Sequence, residues 1–353
     1  SHLAIEVPSG WTPHLGRPLH SGRQVLVPAG DVNPGYAAWT RVEAGPGTRF
    51  ELRVSDCTRF QVIDAVLTEG EVPPGHQVRI YIGTEDGSRL RSPWFAQESP
   101  LAMGVDLGGD GIYLPVVPPP SVTVTGAQAD RLRVFAPATA QPGEEVAVRL
   151  QAVDQYNANL ARGHQGRVEL EASGPLAGLP KAVNLTQKDG SQALISAKAS
   201  GAGVALIRAF DRAWPLAGIS NPVGVGFCDP DERIVFGDLH GQMYVSIGTG
   251  TLDEYYIWAR EVQGLDFCAP ANHYGGRMDF DNVPDWDTER HEAHDALWPE
   301  DVAKSNRYYS PGEFITLVSF ECALGRYGHK NVYYRGDSGI YIYGQAGLTP
   351  DEV

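Results

Sequence analysis

The hydrophobic period of this chain changes once, near residue 226, and that change limits the folds open to it. Before it, apolar residues come in short runs, many alternating with polar ones and cut by Pro and Gly. After it, apolar runs that end in polar side chains are separated by segments with apolar residues at helical spacing. A period of two lines the faces of a strand, and one of about 3.6 lines the face of a helix. The first part therefore reads as all β and the last as strand–helix–strand. At 353 residues the chain also exceeds the roughly 250 at which single cores stop growing, so two or three domains are expected.

Residues 1–118 carry runs such as Gln24-Val25-Leu26-Val27, Phe50-Glu51-Leu52-Arg53-Val54 and Val78-Arg79-Ile80-Tyr81-Ile82. With 41 glycines and 26 prolines in the chain as punctuation, they predict a β-sandwich, closed by Pro118-Pro119-Pro120 as a stiff spacer. Residues 121–225 give cleaner signals. In Val146-Ala147-Val148-Arg149-Leu150-Gln151-Ala152 the even positions are apolar, one face of a half-buried strand. Further strands follow at Val168-Glu169-Leu170, Ala193-Leu194-Ile195 and Val204-Ala205-Leu206-Ile207, which suits an immunoglobulin-like sandwich. The Val153-Asp154-Gln155-Tyr156-Asn157 turn and Gly201-Ala202-Gly203 resemble the bacterial Ig-like repeats of surface proteins.

Residues 226–353 alternate. Thr251 and Glu254 form a capping box for a helix whose apolar positions are Leu252, Tyr255, Ala259 and Val262, with Gly264 as its stop. Leu265-Asp266-Phe267-Cys268-Ala269 reads as a buried strand ending at Asn272-His273. A second helix is predicted from Thr288 to about Lys304, with Pro299 as its weak point. A third strand, Phe314 to Glu321, and a fourth, Asn331 to Arg335, complete a predicted parallel α/β pattern with its site on the strand-end rim.

That rim gathers chemistry. Val235-Phe236-Gly237-Asp238-Leu239-His240-Gly241-Gln242 is an apolar strand that delivers a carboxylate, an imidazole and an amide, with two glycines that leave room for a ligand or ion. The next strands end at His273 and Glu321, and His329 precedes the last. Such a mixture of imidazole and carboxylate suits a divalent ion, with Zn, Mn and Fe as candidates. His291-Glu292-Ala293-His294-Asp295 is a rival cluster, but its histidines are three apart rather than four, which reads as a solvated helix face. Trp11, Trp39 and Trp94 read as core residues, with sugar stacking as the alternative use.

The formal charge of −15 excludes the basic stripe a nucleic-acid partner needs. Four scattered cysteines show no paired spacing, and Cys268 and Cys322 read as small buried hydrophobes. No apolar run approaches the ~20 residues that span a bilayer. The expectation is therefore no membrane partner, no leader within this chain, and a cytoplasmic or unassigned location.

The segment Gly237-Asp238-Leu239-His240-Gly241-Gln242 through Ser246-Ile247-Gly248-Thr249, then Asp253-Glu254-Tyr255-Tyr256, Ala259-Arg260 and Leu265-Asp266-Phe267, resembles a branch of the polymerase-and-histidinol-phosphatase (PHP) superfamily. Pro311-Gly312-Glu313-Phe314, Phe320-Glu321 and Gly328-His329-Lys330-Asn331-Val332-Tyr333 resemble its next motifs in order. That branch is a domain-of-unknown-function family in which β-sandwich regions often precede the hydrolase unit. The resemblance implies two β-sandwiches, the second Ig-like, then an α/β PHP-like distorted (β/α)7 barrel, incomplete at its C-terminus. It implies one to three divalent metal ions and a metal-activated water that attacks a phosphate or other ester of a small-molecule or glycan-linked substrate. By position it makes His240, Gln242, His273, Glu321 and His329 the metal-site residues, and Asp238 and Glu321 the catalytic carboxylates.

Gln242 stands where the family carries a histidine, and the segment after residue 232 is shorter than the 200 or more residues a barrel needs. The missing barrel segment is expected from a longer form of the chain. Gly237-Asp238-Leu239-His240-Gly241-Gln242 is also similar to the opening motif of calcineurin-like phosphatases. Their following Gly-Asp-x-x-Asp motif is absent, and Tyr274 replaces the glutamate of their Asn-His-Glu.

Overall fold

The computed structural model describes residues 1–8, 25–27, 40–57, 60–82, 92–186, 188, 190–243, 248–272, 288–323 and 329–341. Among the described residues there are 25 strands against two α-helices and one π-helical segment. This overturns the α/β barrel expectation for the chain. The helical crossovers are too few to wrap a barrel, and the strands form separate sheets.

The N-terminal region is antiparallel. A six-stranded sheet pairs His2–Pro8 with both Phe60–Glu69 and Met103–Asp106, and Arg49–Cys57 with Phe60–Glu69. The Gln97–Pro100 strand pairs with Ser121–Val124, so strand pairing crosses the triple-proline segment.

Residues 129–225 form a β-sandwich. One sheet contains Ala129–Phe135, Glu145–Asp154, Gln192–Ala199 and Leu176–Ala177. The other is built around Gly203–Asp211, flanked by Gly166–Ser173 and Val223–Val225. The inner faces meet in one core that includes Val148, Leu150, Val168, Ala205, Ile207 and Val223, all fully buried. The even positions 146–152 are buried as the alternation requires. The alternation fails beyond Leu150, where Gln151 and Val153 are buried too. On that outer face Gln151 donates to the Glu261 carbonyl of the C-terminal unit.

The C-terminal unit begins later than the apolar run predicts: Val235 and Phe236 are exposed and precede the first strand, which carries Asp238 and His240 within it rather than beyond its end. Gly237–Gly241, Phe267–Pro270 and Ile315–Thr316 form a three-stranded parallel sheet. The first crossover is helical from Leu252 to Ile257, opened by the Thr251/Glu254 capping box, and runs on as a π-helix over Trp258–Val262. Gly264 stops it at φ +65°, the left-handed region where glycine bears no Cβ penalty. The second helix spans Thr288–Tyr308 and carries Pro299 within it.

The reading of Phe314 to Glu321 as one strand fails. Parallel pairing ends at Thr316, and Ser319–Ala323 instead pairs antiparallel with His329–Tyr333. The cause is chain length: so short a connection from Ala323 to His329 permits only a hairpin, since a parallel return needs a dozen or more residues. Phe320 and Cys322 pack with Trp298 and Val318 under the hairpin. Period-two alternation then turns Glu321 to the opposite face.

A buried carboxylate between two histidines

The hairpin register builds the candidate site. Glu321 lies opposite Asn331, and Ala323 opposite His329, so Glu321, His329 and Asn331 share one face. The end of the Gly237–Gly241 strand brings His240 and Gln242 to the same place. His240 Nε2 lies 3.1 Å from Glu321 Oε2, and His329 Nδ1 bonds Glu321 Oε1. Gln242 Nε2 donates to Glu321 Oε2 at 2.5 Å. Asn331 Nδ2 sits 3.1 Å from His240 Nδ1. An amide N–H there makes Nδ1 the acceptor and leaves the proton on Nε2, facing the carboxylate.

The Glu321 side chain is only 4% exposed, whereas those of His240 and His329 are 53% and 57% exposed. A buried anion thus forms the floor and two accessible imidazoles the rim. Burial of a carboxylate is tolerable because each oxygen receives a nitrogen donor.

Asp238 does not face Glu321. Its Oδ1 accepts the His240 backbone N–H at 2.9 Å, and its Oδ2 accepts the Tyr255 hydroxyl at 3.3 Å. It supports His240 rather than joining the carboxylate floor. Burial, then the neighbouring Cys268 and Asp238, push the Tyr255 phenol far above its ordinary range, so it remains a donor. Burial likewise pushes the Cys268 thiol up to about 12, against the Tyr255 hydrogen bond, which leaves it inert as a nucleophile. Cys268 and Cys322 are both fully buried, as their surroundings in the sequence indicate.

The two glycines serve packing rather than ligand approach. A Cβ at Gly237 would stand 2.4 Å from the Phe267 ring, and one at Gly241 2.3 Å from the Tyr255 ring. They let aromatic side chains lie against the strand and so set its height at the rim. Tyr255 reads from the sequence as an apolar helix position; it is half-buried, whereas its neighbour Tyr256 is fully buried.

Asn272 is the second group that sequence reading leaves without a role. It is fully buried; its backbone carbonyl accepts the Glu321 N–H at 3.1 Å, and its Oδ1 accepts the Met243 N–H at 3.0 Å. Its Nδ2 donates to Asp301 Oδ2 at 3.1 Å. One residue, by its side chain and its carbonyl, thereby ties together the chain beside Gln242, the end of the second strand, the hairpin and the long helix. Asn beside a candidate ligand at a strand end was the available signal.

His273, Trp11 and Trp39 lie outside the described residues, as do the side chains of His291, Glu292, His294 and Asp295. Trp94 is not a core residue: it is exposed and stacked on Tyr156 at 5.7 Å and 11°. Among the described residues no group of three or more His, Cys, Asp and Glu is arrayed to hold a metal ion. The imidazoles engage Glu321 directly, one per oxygen, rather than surrounding a common centre. No described helix is long and apolar enough to cross a membrane.

No family model matches the chain, and no curated protein matches it. Among solved structures, it is similar to the D00-D0 domain of intimin at 12% identity, over 53% of this chain and 77% of that one, with a TM-score of 0.25. For the D0-D1 domain of intimin the values are 9%, 63%, 98% and 0.22. For domains 4 and 5 of the S-layer protein SbsC they are 9%, 53%, 97% and 0.21. Scores at this level carry no argument, and the β-sandwich stands on its own sheets and core.

Proposed function

We propose that the C-terminal unit carries a divalent-metal-dependent hydrolase site of the PHP type, directed at phosphate or related esters of a small-molecule or glycan-linked substrate. The observation that carries this reading is the buried Glu321 carboxylate held between His240 and His329. Two imidazoles and a carboxylate are a donor set that Zn, Mn or Fe accepts, and a buried anion favours a cation beside it. To hold the ion, His240 and His329 would have to exchange their direct bonds to Glu321 for a common centre beside it, with Gln242 adjoining and His273 as a further candidate. A bound ion of this kind supplies a hydroxide-like water and polarises an ester oxygen. The chain's own part is positional. Asn331 fixes the His240 ring, Asp238 and Tyr255 fix its backbone, and Gln242 aligns one Glu321 oxygen.

The test is hydrolysis of p-nitrophenyl phosphate and bis(p-nitrophenyl) phosphate with Zn²⁺, Mn²⁺ or Fe²⁺ added. Turnover should require metal and fall by roughly 100-fold or more in Glu321→Gln, the order seen when a catalytic group is lost. Turnover that ignores metal or survives Glu321→Gln contradicts the proposal. A second reading, a non-catalytic binding or scaffold unit, is favoured by Gln242 at a ligand position and by imidazoles engaged with Glu321 itself. It predicts no turnover at all.

A further inference from the structure

The helix that carries Tyr255 ends against the β-sandwich, and the sandwich satisfies its last carbonyls. Arg149 Nη1 donates to the Glu261 carbonyl at 2.8 Å and to Glu261 Oε2 at 2.9 Å. Gln151 Nε2 donates to the same carbonyl at 2.7 Å. Arg133 Nη2 donates to the Val262 carbonyl at 2.5 Å, and its Nη1 to Gln263 Oε1 at 3.3 Å. Arg133 and Gln151 are cross-strand partners and bond each other, so the three side chains form one patch on the outer sheet face. A helix C-terminus leaves unsatisfied carbonyls and a partial negative charge. Here another domain supplies both the donors and the positive charge.

The same helix is fixed elsewhere by the preceding chain. Glu254, the capping-box residue, also accepts the Glu98 N–H at 2.6 Å. Trp258 Nε1 donates to the Ala158 carbonyl at 2.8 Å, and its ring meets Phe95 edge-on. From this helix Tyr255 reaches down to Asp238, which holds the His240 backbone. We infer that the β-sandwich is a positioning element of the candidate site, with Arg133, Arg149 and Gln151 acting through the helix, Tyr255 and Asp238 on His240. The inference rests on the reading of that site only for its functional meaning; the mechanical coupling stands apart from it.

The experiment is hydrogen exchange on the whole chain, with Zn²⁺ affinity measured alongside. Arg149→Ala should speed amide exchange about tenfold over 252–262 and also over 237–241, the order expected for losing a charged hydrogen bond. Arg149→Lys, which keeps a cationic donor, should restore most of the protection. Val168→Ala, in the sandwich core away from the patch, should lower stability without that pattern. An exchange increase confined to 252–262, or one matched by Val168→Ala, overturns the coupling. Coupling without Zn²⁺ binding by the wild type overturns the site reading alone. Zn²⁺ binding with exchange over 237–241 unmoved overturns the coupling alone.

Discussion

At the scale of single residues, Asn272 decides more than any group the motifs single out. Its side chain and carbonyl join three segments that converge on Glu321, and all its partners are out of water. Asn272→Ala leaves the Met243 N–H and one Asp301 oxygen short of a partner, which costs about 3 kcal/mol. Urea unfolding of the variant checks this; a loss well under 1 kcal/mol would show that the hub is dispensable. Asp238, His240, Gln242, Glu321 and His329 stand out in the sequence by their chemistry, and the structure brings the last four together, with Glu321 inside its strand rather than at the end. Asn272 and Tyr255 were not, since a buried amide and an aromatic at a helical position look like filler until their partners are known. The glycines were legible as conformationally special, but the neighbour each accommodates is set by tertiary packing.

At the scale of elements, local signals carried furthest. The capping box, the Gly264 stop and the alternation over 145–150 are each written within a few residues, and each forms. The hairpin of Ser319–Ala323 and His329–Tyr333 was misread as parallel because apolar runs do not state their direction, although the short connection did. The junction between helix and sandwich adds an acid-sensitive contact. Burial raises the Glu261 carboxyl, but hydrogen bonds from Arg149 and Arg260 more than offset this and hold it below its ordinary value of 4.5. A carboxyl lowered in the folded state contributes stability that is present above its unfolded value and lost as the pH falls through the folded one. The stability gap between wild type and Glu261→Gln should therefore be present at pH 7, at under about 1 kcal/mol because the pair is partly solvated. It should close below about pH 4.5. Urea titrations at several pH values test this, and a gap that is constant down to pH 3 would contradict it.

At the scale of the whole molecule, the β-sandwich regions follow from composition and period, whereas the barrel was inferred from motif likeness and did not form. Motifs report local strand-end chemistry; closure of a barrel depends on many crossovers that the two α-helices among the described residues cannot supply. What the fold does provide is a short parallel sheet and a hairpin that meet at one buried carboxylate, braced by a sandwich through a shared helix. By the function proposed above, this meeting point binds a divalent ion. Equilibrium dialysis against Zn²⁺ and Mn²⁺, followed by elemental analysis, tests it on the wild type, His240→Ala and Glu321→Gln. At least one tightly held ion per wild-type chain is expected, lost in both variants while the fold is retained. A folded wild type that retains no ion, or variants that retain as much as it does, would contradict it.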